Sequence, residues 1–277
     1  MSEIEEIVHI VPLGHEFDRV VKPFNRLRAN RVYLLTILDM ADIPYVSEEM
    51  CKKQKYFLDL VKDALEKKNI EVIVEHANIF DMLEVMKNVS RIIRAEKAKN
   101  NIVYVNMSGA GRLTSVAATL AAMAHGAKAY YVIADRYSKT DEEELKHGLS
   151  ICGDEPKIKY IENFQINLPD EINLRLLAEL CKREKGMKTK DIIRFLQELG
   201  IEEFDETKQK THDKRRIQQT LLIRLNKKIL EKLEREGYII REKTGRYNTI
   251  KITEAGKYVA HISGFLEENT EENMIRQ

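Results

Sequence analysis

Residues 101–133 read NIVYVNMSGAGRLTSVAATLAAMAHGAKAYYVI. The apolar, β-branched run 102–105 predicts a buried strand. A polar loop follows: Asn106-Met107-Ser108-Gly109-Ala110-Gly111-Arg112. The small-residue stretch 113–125 predicts a helix, stopped by Gly126 at the position of a left-handed cap. Residues 128–133 predict a second strand. The unit is β-loop-α-β, with a glycine-bearing loop aimed at a helix N-terminus. Free backbone N–H groups and the positive end of a helix dipole suit an anion there, phosphate above all. Taken alone, Gly109 and Gly111 serve a tight turn equally well. Ala117, Ala118, Ala121 and Ala122 let the helix lie close to a sheet.

Upstream, the same alternation repeats. Strands are predicted over 7–11, 31–38 and 70–74, and helices over 17–27, 48–67 and 81–98. The fold class that follows is α/β, with a Rossmann-like doubly wound parallel sheet. Right-handed crossovers favour the strand order 3-2-1-4-5, in which strands one and four are neighbours. Ligands bind at that switch point, beyond the carboxyl ends of the strands. The loop after strand one, Leu13-Gly14-His15-Glu16-Phe17-Asp18-Arg19, and the loop after strand four, 106–112, both open into it.

From Asp170 onward the pattern changes. Helices are predicted over 171–185 and 189–199, ended by Gly186 and Gly200. A long third helix, capped by Thr211 or Asp213, runs to Glu236 with Ile217, Leu221, Leu225, Ile229 and Leu233 at four-residue spacing. Residues 238–240 and 249–252 flank Lys243-Thr244-Gly245-Arg246 as a hairpin. A last helix runs from Glu254 to about Leu266, and the tail 267–277 reads as frayed. Helices, basic-tipped hairpin and closing helix make an α+β winged helix-turn-helix. Residues 207–246 carry 13 Lys/Arg against 5 Asp/Glu, in a chain whose net charge is only +1. That local excess is the electrostatic footprint of a double-stranded DNA contact. Arg215, Arg216, Gln218, Gln219 and Arg224 fall largely off the apolar stripe, and Lys243 and Arg246 sit at the hairpin tip. The expected division is 1–139 for the first domain, 140–168 as connector and 169–277 for the second.

Composition narrows the classes. The chain has 277 residues, 43% hydrophobic and 33% charged, enough for a proper core. Cys51, Cys152 and Cys181 are scattered, which gives no disulfide framework or zinc site and fits the cytoplasm. No signal peptide or long apolar run is visible, so no membrane association is expected. No cofactor is called for. A dinucleotide fingerprint is lacking, since loop one has only Gly14 and Thr114 stands where loop four would need its third glycine. Asp39 is placed to hold a ribose, but without that fingerprint. The P-loop Lys-Ser/Thr pair is absent, Ser108 is not in a GxSxG elbow, and the seven histidines show no metal spacing.

The Pro-Leu-Gly-His-Glu-Phe-Asp-Arg loop, the Asn-Met-Ser-Gly-Ala-Gly-Arg loop and the C-terminal winged helix together resemble the CRISPR-associated Rossmann-fold (CARF) transcriptional regulators, or a close archaeal relative. The resemblance implies a homodimer binding a cyclic oligoadenylate across its two-fold axis. Carried over onto this sequence, the contacts are Gly14, His15, Glu16, Asp18 and Arg19, then Asn106, Ser108, Gly109, Ala110, Gly111, Arg112 and Thr114. Ala110 replaces the family's second glycine, and Arg112 lies near its lysine position. Glu16 and Asp18 contact ribose or base, or pair with Arg19. The reading is a ligand-sensing regulator rather than an enzyme. The alternative is a ring nuclease that cleaves its own cyclic ligand. An attached RNase of the Arg-x4-6-His type is disfavoured, because no arginine stands at that distance before a histidine.

Overall fold

The structure, a computed structural model, describes residues 5–37, 46–164, 166–208, 213–244 and 247–266. Asp39, Thr211, Arg246 and the tail from 267 lie outside the described residues. The chain divides into two compact units, Met1–Asn167 and Leu168–Gln277.

The first unit alternates strands and helices. β1 (Ile7–Pro12) leads to a short α1 (Asp18–Val21), then β2 (Arg31–Thr36), α2 (Glu48–Glu66) and β3 (Glu71–His76). α3 (Met82–Ala98), β4 (Ile102–Asn106), α4 (Arg112–Ala124) and β5 (Lys128–Ile133) follow. β6 (Arg136–Tyr137), α5 (Asp141–His147), β7 (Ser150–Ile151) and β8 (Lys157–Tyr160) complete it. The sheet order is β3-β2-β1-β4-β5-β8. The expected order holds for five parallel strands, and β8 adds an antiparallel edge to β5. The span 140–168 contributes α5, β7 and β8 to this unit.

Capping explains where the helices start. Ser47 accepts from Met50 N ahead of α2, and Asp81 accepts from Leu83 N and Glu84 N ahead of α3. One expected helix is shorter than predicted. The span 17–27 breaks into α1 and a 3-10 turn, Lys22–Asn25. Pro23 is the cause: it has no N–H to continue the ladder, and its ring crowds the carbonyl four residues back. One core joins Val11, Leu13, Val20, Phe24, Leu34 and Val61 across β1, β2, α1 and α2. Each such side chain contributes about 1.5–3 kcal/mol when fully buried. Ala117, Ala118, Ala121 and Ala122 are fully buried, as close packing of α4 on the sheet requires.

The second unit contains α6 (Glu171–Cys181), β9 (Met187–Lys188), α7 (Thr189–Glu198) and α8 (Lys214–Leu225). A π-turn, Asn226–Leu230, joins α8 to α9 (Glu231–Arg235). β10 (Ile239–Thr244), β11 (Tyr247–Ile252) and α10 (Glu254–Ile262) close it. Asp213 caps α8, accepting from Arg215 N. The hairpin pairs Ile239 with Ile252 through Thr244 with Tyr247, and β9 adds a third strand that sequence reading missed. Its core gathers Leu176, Leu180, Ile192, Leu221, Leu225 and Leu233.

Candidate functional site

β1 and β4 are hydrogen-bonded neighbours, with Ile7 opposite Ile102 and Ile10 opposite Val105. Their loops therefore leave the sheet side by side. Gly14 N donates to Gly109 O at 2.7 Å, and Asn106 Nδ2 donates to Arg19 O at 3.0 Å. Gly109 is fixed by close approach: a Cβ there would lie 2.5 Å from Pro12 O. Ser108 N donates to Asn106 Oδ1, and Ser108 Oγ accepts from Val132 N at 2.6 Å. Thr114 Oγ1 donates to Ile79 O. Asn106, Ser108 and Thr114 are buried, and they hold the loop rather than present themselves at its surface.

The residues presented are Ala110, Gly111 and Arg112, where α4 begins. Gly111 is the N-cap and supplies no side-chain acceptor. The first N–H groups of a three-turn helix are therefore left facing outward beside an exposed guanidinium, an arrangement suited to an anion.

Next to it lies a cavity of about 230 Å³. Gly14, His15, Glu16, Gly109, Ala110 and Gly111 reach it from the two loops. Ile37, Met50, Gln54, Ile79, Phe80 and Leu149 complete its wall, and none of these was singled out from the sequence. They come from chain segments with no loop signature of their own. The one available signal was Phe80, an aromatic directly before the Asp81 cap; it is half exposed. His15 stacks on Phe57 with centroids 5.7 Å apart. Its pKa is lowered, by burial first and by Lys53 second.

The acids of loop one are turned inward. Asp18 is fully buried, and its Oδ2 accepts from Lys22 Nζ at 2.9 Å, Cys152 N at 2.9 Å and His147 Nδ1 at 3.1 Å. Glu16 Oε1 accepts from Ser150 Oγ at 2.7 Å. Arg19 stands 3.7 Å from that oxygen and lies over the Tyr131 ring at 4.9 Å. Glu16 also bridges Gly148 through the backbone, and Leu149 N donates to His15 O at 2.9 Å. Loop one is thus strapped down by residues 147–152. Of the alternatives left open for Glu16 and Asp18, the geometry favours internal pairing.

Burial pushes the Glu16 carboxyl up from 4.5 to about 7. The unfolded chain loses this proton near 4.5 while the folded chain keeps it. Stability is therefore expected to fall as pH rises through that window and to level off above about 7. Denaturation of wild type and Glu16→Gln across the window checks this, because the substitution should flatten the slope. Equal slopes would show that Glu16 is not the group responsible.

In the second unit, α8 buries Ile217, Leu221 and Leu225 and exposes Lys214, Arg215, Arg216, Gln218 and Gln219. Arg224 is turned away from that face, donating to Glu203 O, and Lys228 pairs with Glu203 at 2.7 Å. Lys243 is exposed on β10. No group of His, Cys, Asp and Glu among the described residues fits a metal ion. No helix among them is long and apolar enough to cross a membrane.

A mostly parallel α/β sheet with its crevice at β1 and β4 and a second unit of helices with a β-hairpin define the architecture. Residues 7–137 match the family described as HFX_2341_N-like, N-terminal, and residues 172–264 match the DUF6293 C-terminal winged helix domain. An uncharacterized protein of Methanocaldococcus jannaschii is 25% identical over 215 residues, covering 69% of this chain and 62% of that protein. The match thus spans less than two thirds of that relative's length. Csm6 of Enterococcus italicus, bound to cyclic hexa-2'-fluoro-hexa-dAMP, is similar at 13% identity and a TM-score of 0.41. That alignment covers 70% of this chain and 49% of Csm6. Can2 of Sulfobacillus thermosulfidooxidans, in complex with cyclic tetra-adenylate, is similar at 13% identity and a TM-score of 0.40, over 98% of this chain and 67% of Can2.

Proposed function

We propose that this protein is a ligand-responsive DNA-binding transcription regulator. Its first unit senses a cyclic oligoadenylate or related nucleotide, and its winged helix holds double-stranded DNA. The observation that carries the reading is the uncapped start of α4: Gly111 lines the crevice between the two loops, and Arg112, the next residue, is exposed. The acids that would repel a polyphosphate are withdrawn: Asp18 is paired with Lys22, and Glu16 is held partly protonated near neutrality. A cyclic ligand with two-fold symmetry suits two copies of this crevice facing each other. The face that α4 leaves uncovered includes Leu113 and Val116, apolar side chains suited to such a contact.

Cleavage of the ligand at the same site is the second reading. The Ser108 hydroxyl is buried and engaged by Val132 N, so it is poorly placed to position a reacting ribose. The test is calorimetry of the full chain with cyclic tetra-adenylate and cyclic hexa-adenylate, with chromatography of the ligand afterwards and light scattering of the protein. The expected result is one intact cyclic ligand per two chains, from a particle of twice 32.2 kDa. Monomers that bind neither ligand overturn the reading, and linear products favour the nuclease.

A further inference from the structure

Ile223 is 57% exposed and Leu222 36% exposed on α8, a helix otherwise covered by cations and amides. Ile217, Leu221 and Leu225 define its inner face. At about 100° per residue, Arg215, Gln219, Leu222 and Ile223 cluster on the opposite side. From Arg215 to Ile223 the helix rises about 12 Å, enough to follow three to four base pairs along a groove. Residues 214–230 hold six Lys/Arg and no Asp or Glu. That charge selects a polyanion over a protein surface as the occupant of this face. Arg224 and Lys228 fall nearer the inner stripe than this face, and both are engaged with Glu203. What the occupant meets at Leu222 and Ile223 is aliphatic, with the exposed Lys227 one turn beyond. In the major groove the apolar feature of a base pair is the C5-methyl group of thymine. Gln219, one turn earlier, carries the amide that pairs with adenine.

We propose that α8 selects an A·T-rich half-site, with Ile223 and Leu222 packed on thymine methyl groups and Gln219 on an adjacent adenine. This rests on the DNA-binding reading above. The test begins with selection of duplexes from a random pool by the full chain. Thymines in the recovered site are then replaced by uracil, which removes the methyl group and leaves every hydrogen-bonding edge in place.

The expected result is an A·T-rich site whose affinity falls roughly fourfold for each contacted methyl removed. Leu222→Ala/Ile223→Ala should bind the thymine duplex as weakly as wild type binds the uracil duplex, and should not respond to the exchange. Equal wild-type affinity for thymine and uracil duplexes, with the cognate site still distinguished from a scrambled one, overturns the proposal and leaves DNA binding standing. That comparison needs no variant, so a folding defect in the double substitution does not blunt it. Absence of binding to any duplex overturns both the proposal and the DNA-binding reading.

Discussion

Gly148→Ala is expected to destabilise the first unit by about 2–4 kcal/mol, well beyond an ordinary loop substitution. Gly148 has φ 84° and ψ −168°, a region populated almost solely by glycine. Space is also lacking: an added Cβ would lie 2.6 Å from Phe17 N and 2.7 Å from Glu16 Cα. Both are backbone atoms, so no change of rotamer relieves the contact. Relief requires residues 147–152 to lift from loop one, which breaks the bond from Leu149 N to His15 O and the Glu16–Gly148 bridge. Gly200→Ala is the control. Gly200 also has a positive φ, 70°, but nothing lies within 4 Å of its added Cβ. It should lose only about 1 kcal/mol or a little more, for conformation alone. Denaturant unfolding of the full chain, followed at the transition of the first unit, reads Gly148→Ala. The transition of the second unit reads Gly200→Ala. Equal losses would mean that the close approach at Gly148 is relieved at no cost.

Arg112→Ala is expected to weaken binding of cyclic tetra-adenylate by about 1.5–3 kcal/mol, roughly 10- to 150-fold. Arg112 is exposed at the first position of α4, with no packed side chain resting on it, so the fold should persist. Arg112→Lys keeps the charge but not the planar fork, and should recover part of the loss. Calorimetry on the three proteins decides. Unchanged affinity in a folded Arg112→Ala protein would move the ligand away from the start of α4.

Much of this was readable in the chain. The alternation of apolar runs and helical stripes gave the five parallel strands and their order, because crossover handedness leaves few other solutions. The meeting of loops one and four followed from that order. What loop one does with its acids was readable only in part. Lys22 beside Asp18 and Arg19 beside Glu16 lie at helical spacing, but their other partners, Cys152 and Ser150, are more than a hundred residues away, and pair spacing carries no information about such contacts. Pro23 was readable and shortens the helix predicted over 17–27.

The third helix of the second unit holds a subtler signal. Ile217, Leu221, Leu225, Ile229 and Leu233 repeat every four residues. In a regular helix each such step drifts about 40°, so the last would face about 160° from the first. All five are buried. The π-turn Asn226–Leu230 widens the helix and brings Leu233 back to the core. A strict four-residue repeat was therefore already the mark of a helix that is not a uniform α-helix. Arg241 Nη1 donates to Asn226 Oδ1 at the start of the wide turn.

The reversed strand β8 also determines where force can enter the sheet. Tyr160 lies opposite Tyr130, and Ile161 N continues the pairing to Ala129 O. The chain therefore runs off the sheet beside the start of β5, while loops one and four leave from the far ends of β1 and β4. A six-residue strand such as β1 or β5 is about 20 Å long. A molecule seated against Arg112 is thus separated from the root of the tether by a strand's full length. The covalent route between the two runs through residues 147–152, which hold loop one and lead into β8.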